Sequence, residues 1–351
     1  MPALLAEVLR GGAVESAHLG SLAIVDGDGG LVLSLGDVDA RVFPRSAVKL
    51  LQALPLVESG AADRLGLTDA ELAIACASHS GEPEHVATAA GMLAKAGLDV
   101  SALECGTQWP GREPVLRGMV ERGEQATPLH NNCSGKHAGF VCVACQLALA
   151  RETDARDFAR GYVEAEHAVM REVGAALSAA TGSDIDVAPR GTDGCSIPTY
   201  ALPLRALALG FARAATGQGL SAGRASAARR LRAACATAPF MVGGTKRFDT
   251  LVMQALGESV CCKVGAEGVY CAALPTLGLG VALKIADGQV RGAEAAMAAV
   301  IEALLPLDDA QAALLASYSQ LQLHNWQGRL VGEVRAAQRL RAALAQVAAS
   351  R

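Results

Sequence analysis

At 351 residues the chain is long enough to bury a substantial core, either as one large domain or as two closely joined lobes. Hydrophobic residues make up 51% of it and charged ones 19%, which excludes disorder, and a net charge of −4 gives no general pull towards nucleic acid or a membrane surface. No apolar run reaches the ~18 to 20 residues that span a bilayer, and Met1 to Arg10 lacks the regions of a signal peptide, so the ten cysteines read as reduced thiols of a cytoplasmic protein.

Two apolar runs, Ser21 to Val25 and Leu31 to Leu35, are joined by Asp26-Gly27-Asp28-Gly29-Gly30, which predicts an antiparallel hairpin. Residues 46–59 read as helical, with Pro55 bending or ending the first part. From about Asp69 to Val242 alanine, leucine, glutamate and arginine recur at helical spacing, as in Glu84 to Ala96, Ala155 to Ala180 and Ala222 to Ala236. Strand character returns at Ser259 to Val264, Val269 to Leu274 and Gly278 to Ile285, and helices are predicted from Ala293 to Leu305 and from Val331 to Val347. The fold class is therefore α/β in the α+β sense. An antiparallel sheet is built from both chain ends, 1–50 and 245–351, beside a mostly helical lobe, 51–244, and the whole acts as one catalytic unit.

In Arg45-Ser46-Ala47-Val48-Lys49, Ser46 and Lys49 are three apart, which on a helix brings their Cβ atoms to about 5 to 6 Å and lets an amine take a hydroxyl proton. This is the S-x-x-K pattern, although a helix start followed by a solvated lysine reads the same way. Lys263-Val264-Gly265 has the K-x-G form at a strand end, the second of three marks of serine β-lactamases and penicillin-binding proteins. Ala77-Ser78-His79-Ser80-Gly81-Glu82 reads as a tight turn, either a helix cap or a second hydroxyl facing the same pocket. The stretch from His130 to His137 is dense in metal-capable groups: His130, Cys133 and His137 could ligate zinc, with Asp193-Gly194-Cys195 adding a thiolate from a separate loop. Cys142-Val143-Ala144-Cys145 lies in an apolar helical run and reads as core packing. Gly243-Gly244-Thr245-Lys246 lacks the phosphate-loop spacing and reads as a turn beside the pocket. Arg45 offers a bidentate fork to a carboxylate, or is a surface arginine.

Taken together, Arg45-Ser46-Ala47-Val48-Lys49, Ala77-Ser78-His79, Asn132-Cys133-Ser134-Gly135-Lys136-His137, Asp193-Gly194-Cys195-Ser196, Gly244-Thr245-Lys246-Arg247-Phe248-Asp249 and Lys263 to Gly268 resemble the Rhizobium etli-type inducible L-asparaginases, the class 3 or asparaginase II group. The resemblance covers nearly the whole chain. It implies a serine β-lactamase-like fold, a homodimer, and hydrolysis of L-asparagine to L-aspartate and ammonia. It further implies two serine-lysine tandems, Ser46 with Lys49 and Ser78 with Lys263, and a zinc ion held by Cys133, Lys136 and Cys195. Asp193 and Arg45 would contact substrate or metal-bound water, with His79 a further substrate contact. Lysine is an uncommon zinc ligand and donor chemistry alone favours His137, so Lys136 rests on the resemblance only.

The chemistry expected is attack by Ser46 on the side-chain amide carbon, with Lys49 as base, its pKa lowered by burial and by a Lys263 ammonium. A backbone N–H near Ser46 would serve as one oxyanion donor. Competing readings are a β-lactamase-like serine hydrolase, a glutaminase, and a non-enzymatic metal- or amino-acid-binding module. The helical lobe has no recognisable S-D-N triplet, which argues against penicillin binding.

Overall fold

Short stretches dense in valine, leucine and alanine fold into strands at both ends of the chain and at two places between. In the computed structural model, which describes residues 1–350, these are β1 (Ala3–Arg10), β2 (Ala13–Asp26), β3 (Leu31–Leu35), β4 (Arg41–Val42), β5 (Arg190–Thr192), β6 (Pro198–Tyr200), β7 (Leu202–Pro203), β8 (Cys261–Val264), β9 (Val269–Leu274), β10 (Leu279–Ile285), β11 (Gln320–His324) and β12 (Leu330–Ala336). Eight of them make one sheet in the order β11-β12-β1-β2-β10-β9-β8, with β3 on β2. The pairs β1–β12, β1–β2, β2–β10, β2–β3, β9–β10 and β11–β12 are antiparallel. The chain divides into two units: Met1–Ala47, Leu202–Thr216 and Cys262–Arg351 form the first, Val48–Ala201 and Gly217–Cys261 the second.

In the first unit, strand alternation decides which helix covers which face. Leu22 and Ile24 of β2 pair with Leu283 and Val281 of β10, and cross-strand partners share a face. His18 lies two pleats further along the same face, and a Cβ on Gly292 of the helix Val290–Leu304 would sit 2.7 Å from the His18 ring. The opposite face of β10 carries Gly280, where an added Cβ would come within 2.0 Å of Ala208 O and 2.2 Å of Ala212 N in the helix Leu204–Thr216. The sheet is therefore sandwiched between helices. All six residues of β9 are buried for that reason, where a one-sided sheet would alternate.

Two expectations about this unit are corrected. Residues 331–347 are not one helix: β12 runs Leu330–Ala336 and the helix is Gln338–Ala349. Val334 and Ala336 point inward while Arg335 between them reaches Glu7 at 3.2 Å, an alternation of period two that pairing with β1 rewards. Gly332 fits because a Cβ there would lie 2.1 Å from Leu9 O. The division 1–50 and 245–351 against 51–244 also shifts. The apolar stripe of Leu204–Thr216 packs on β10 and β2, and the helix Phe248–Leu256 belongs with the second unit.

The second unit is built around the helix Ser134–Leu149. Thirteen of its sixteen residues are buried, which explains a sequence apolar on every side. It is packed by Asp69–Ala75, Pro83–Lys95, Ala155–Ala159 and Ala168–Thr181. Gly135 and Gly139 permit that approach: a Cβ on Gly135 would meet Ile74 O at 2.4 Å, and one on Gly139 would meet Ala75 Cβ at 3.3 Å. Cys142 and Cys145 lie inside this helix and are buried, and burial pushes the Cys142 thiol up to about 12. All ten cysteines are free and buried. No helix among the described residues is long and apolar enough to cross a membrane.

Candidate active site

The first unit holds Arg45, Ser46 and Lys263. Ser46 is half-buried in the 3-10 turn Arg45–Val48, and Arg45 opens that turn at φ +51°, a left-handed conformation uncommon for a side-chain-bearing residue. Lys263 is buried at the end of β8 and donates to Val264 O at 2.8 Å. Gly265 explains the glycine of the K-x-G element: a Cβ there would lie 2.6 Å from Pro44 O and 3.1 Å from Ala47. The end of β8 thus lies directly against the turn that carries Ser46.

The second unit gathers the other predicted residues. Lys49 opens the helix Lys49–Gln52, is fully buried, and donates from Nζ to Ala77 O (2.5 Å), Ser78 Oγ (3.0 Å) and Cys133 Sγ (3.0 Å). The lysine of one expected tandem therefore touches the serine of the other. Ser78 is held from two sides, its own N–H donating to Val242 O at 3.0 Å and that of His79 to Asn132 O at 3.2 Å.

Cys133 precedes the helix Ser134–Leu149, Lys136 lies in its first turn, and Cys195 lies on the hairpin between β5 and β6. Asp193 N donates to Ile197 O and Ser196 N to Asp193 O, with Ser196 at φ +76°, which closes the hairpin tip. Lys136 Nζ donates to Cys195 Sγ at 3.0 Å. A hydrogen bond with Cys195 is the largest influence on Cys133 and draws its thiol well below the usual range against the opposing effect of burial, with the Lys136 and Lys49 ammonium groups adding to it. The same bond raises Cys195, and burial raises it further. Burial alone would lower Lys136, but Cys133, Cys195 and Asp193 outweigh it and leave Lys136 raised. Two sulfurs and the Lys136 nitrogen converge in a buried space; as thiolates the sulfurs suit a thiophilic divalent ion, and Lys136 would have to give up its proton to join them. No cluster of three or more His, Cys, Asp or Glu side chains able to hold a metal occurs among the described residues.

His137 does not join these donors through Nδ1, which lies 2.6 Å from Tyr162 Oη. Tyr162 Oη accepts from Glu104 N at 2.9 Å, so its own proton goes to His137 Nδ1. His137 Nε2 is buried with no partner among the described residues. His79 is equally committed: Nδ1 accepts from Gly81 N at 3.1 Å and Nε2 donates to Ser134 Oγ at 2.9 Å. Burial, then His85 and Lys49, holds His79 well below the ordinary range, so it is neutral and contributes a wall to the site, with no free ring nitrogen.

That wall belongs to a cavity of about 290 Å³ lined by polar groups: His79, Ser80, Arg112, Asn132, Thr245 and Arg247. Glu82 ties its sides together, accepting from Thr245 N (2.7 Å) and Thr245 Oγ1 (2.6 Å) and pairing with Arg112 at 3.4 Å. Gly244 makes this possible, because a Cβ there would sit 2.6 Å from Glu82 Oε1. Sequence reasoning saw only a turn at Gly243 to Lys246; Glu82 and Thr245 are 163 residues apart, and no local pattern links them. A larger cavity of about 800 Å³, beside Arg171, Arg190 and Glu166, contains none of the predicted residues, and chemistry favours the smaller one.

The sequence matches the family described as L-asparaginase II over residues 6–336. No curated protein matches it. A solved structure described as "Crystal Structure Analysis of Mglu" is 15% identical, with a TM-score of 0.34, over 79% of this chain and 65% of that one. Its counterpart in "tris and glutamate form" gives the same identity and TM-score over 79% and 57%. This chain spans less than two thirds of either.

Proposed function

We propose, since this chain belongs to the L-asparaginase II family, that the L-asparaginase-type amidohydrolase activity this implies is hydrolysis of L-asparagine to L-aspartate and ammonia by a serine-lysine nucleophile on a serine β-lactamase-like framework. The observation that carries the reading is the buried Lys49, 3.0 Å from the Ser78 hydroxyl. Ser46 Oγ attacks the side-chain amide carbon. Its proton passes to Lys49, three residues on, and through Ser78 to the departing ammonia; water then hydrolyses the aspartyl ester. By resemblance to the family, Lys263 is assigned with Ser78 to the second tandem. Arg45 and Asp193 contact substrate and His79 shapes the wall. The active form is a homodimer in the cytoplasm, a location supported by ten free thiols.

Cys133, Lys136 and Cys195 would hold zinc, which when bound would supply positive charge that helps to hold the substrate. Removing the metal with a chelator is expected to raise KM for asparagine by ~10-fold or more while kcat changes little. Loss of turnover at saturating asparagine would instead give the metal a part in bond cleavage. The activity itself is tested by measuring ammonia release from asparagine and glutamine, and hydrolysis of a chromogenic β-lactam, under one set of conditions. Asparagine is expected to be the preferred substrate by kcat/KM; preference for glutamine or the lactam would replace the proposal with a glutaminase or a β-lactamase-like hydrolase.

A further inference from the structure

The polar cavity of the second unit contains a cation without a counterpart. Arg112 is paired with Glu82, whose two oxygens are also taken by Thr245. Arg247, half-buried at the start of the helix Phe248–Leu256, lines the same cavity, and among the described residues its guanidinium has no hydrogen-bond or ion-pair partner. Its stem is fixed, because Gly243 packs against it so closely that a Cβ there would lie 2.9 Å from Arg247 Cβ. A held, partly desolvated, unpaired guanidinium in a cavity otherwise lined by neutral polar groups and one balanced ion pair favours an anion, and its planar fork matches a carboxylate.

The cavity is also placed to hold one end of a small molecule while the other end reacts. Its residues His79 and Asn132 are the chain neighbours of Ser78 and Cys133, two of the three groups that Lys49 hydrogen-bonds. We infer that this cavity is the carboxylate subsite of the enzyme and that Arg247 binds the α-carboxylate of the amino-acid substrate and product. The inference deepens the proposed function and rests on it for the identity of the substrate. Arg247 thereby selects α-amino acids over the corresponding amines, with Thr245 and Glu82 positioning the loop that carries it.

Two ligands that differ only in this carboxylate, L-aspartate and β-alanine, test the assignment by calorimetry on the full chain, alongside ammonia release from asparagine and from 3-aminopropanamide. Arg247→Gln is expected to weaken aspartate binding and raise KM for asparagine by about 30-fold, the scale of a charge-assisted bidentate contact, while β-alanine affinity and kcat stay within about threefold. Arg247→Lys should recover part of the aspartate affinity, which a mere folding defect would not allow. Parallel weakening of both ligands, unchanged aspartate binding, or no aspartate binding to the unaltered protein would each overturn the subsite. If asparagine is hydrolysed and Arg247→Gln changes nothing, the subsite falls and the proposed activity stands. If asparagine is inert but aspartate binding depends on Arg247, the activity falls and the carboxylate site stands.

Discussion

Lys49→Met is expected to lower kcat for asparagine by ~10⁴-fold or more, because the side chain that would accept the nucleophile's proton is replaced by one of similar size that cannot. Ser46→Ala should cost about as much, and the double variant no more than either single one, since groups acting as one unit are not additive. The Lys49 change has a structural side as well. Ala77 O, Ser78 Oγ and Cys133 Sγ all lose a donor in a buried space, at a cost of about 1 to 3 kcal/mol for each group left unsatisfied. Ser46 is half-buried, so Ser46→Ala leaves the fold intact and isolates the chemical loss. Steady-state kinetics with folding checked by circular dichroism measures both. Near-normal kcat in Ser46→Ala would transfer the nucleophile's role to Ser78, and near-normal kcat in Lys49→Met would remove the serine-lysine mechanism.

Gly280→Val should prevent the first unit from folding. The added Cβ alone would lie 2.0 Å from Ala208 O and 2.2 Å from Ala212 N, and both are backbone atoms of a packed helix that cannot rotate away. Overpacking of this kind costs more than ~3 kcal/mol, a large part of the 5 to 15 kcal/mol that typically separates folded from unfolded states. Gly223→Ala is the contrasting case. Gly223 lies exposed in the helix Ala222–Thr237 with no atom within 4 Å of a built Cβ, so alanine should be neutral or stabilise by about 0.5 to 1 kcal/mol. Urea denaturation of the two variants measures the difference; a soluble Gly280→Val with an unchanged midpoint would contradict the packing described for β10.

Features written locally in the chain were readable, and features made by distant contact were not. The hairpin at Asp26 to Gly30 is a local signal, and it joins β2 to β3 as expected. β1 and β12 escaped notice because each depends on the other across more than 300 residues: Arg335, inside the stretch expected to be helical, pairs with Glu7. Pro55 was expected to bend or end the first part of a helix, and Lys49–Gln52 does end before it; Pro55 itself sits in the first turn of the next helix, Leu54–Glu58, where its missing N–H costs nothing. At the site, residue types pointed to Lys49, Ser78, Cys133 and Cys195 and only the family resemblance to Lys136, and in the structure these five share hydrogen bonds. Sequence could not tell whether Lys136 or His137 faces Cys195, since both are buried on one helix and only the Tyr162 hydroxyl shows where His137 is engaged. Arg247 and Glu82 were invisible for one reason: whether a charge is paired is decided by residues distant in the chain.

The helix Ser134–Leu149 places two kinds of selection on one element. Its first turn carries Lys136 and follows Cys133 directly, while its remaining length is the core around which the second unit packs. Under the proposed roles of Cys133 and Lys136, a substitution that loosens the core also tilts these groups at its start, so loss of activity and loss of protein abundance are expected together in random variants. Laboratory evolution for a more durable protein therefore has its freedom elsewhere, on exposed positions such as those of Ala222–Thr237, where stability can rise without disturbing the turn that carries Cys133 and Lys136.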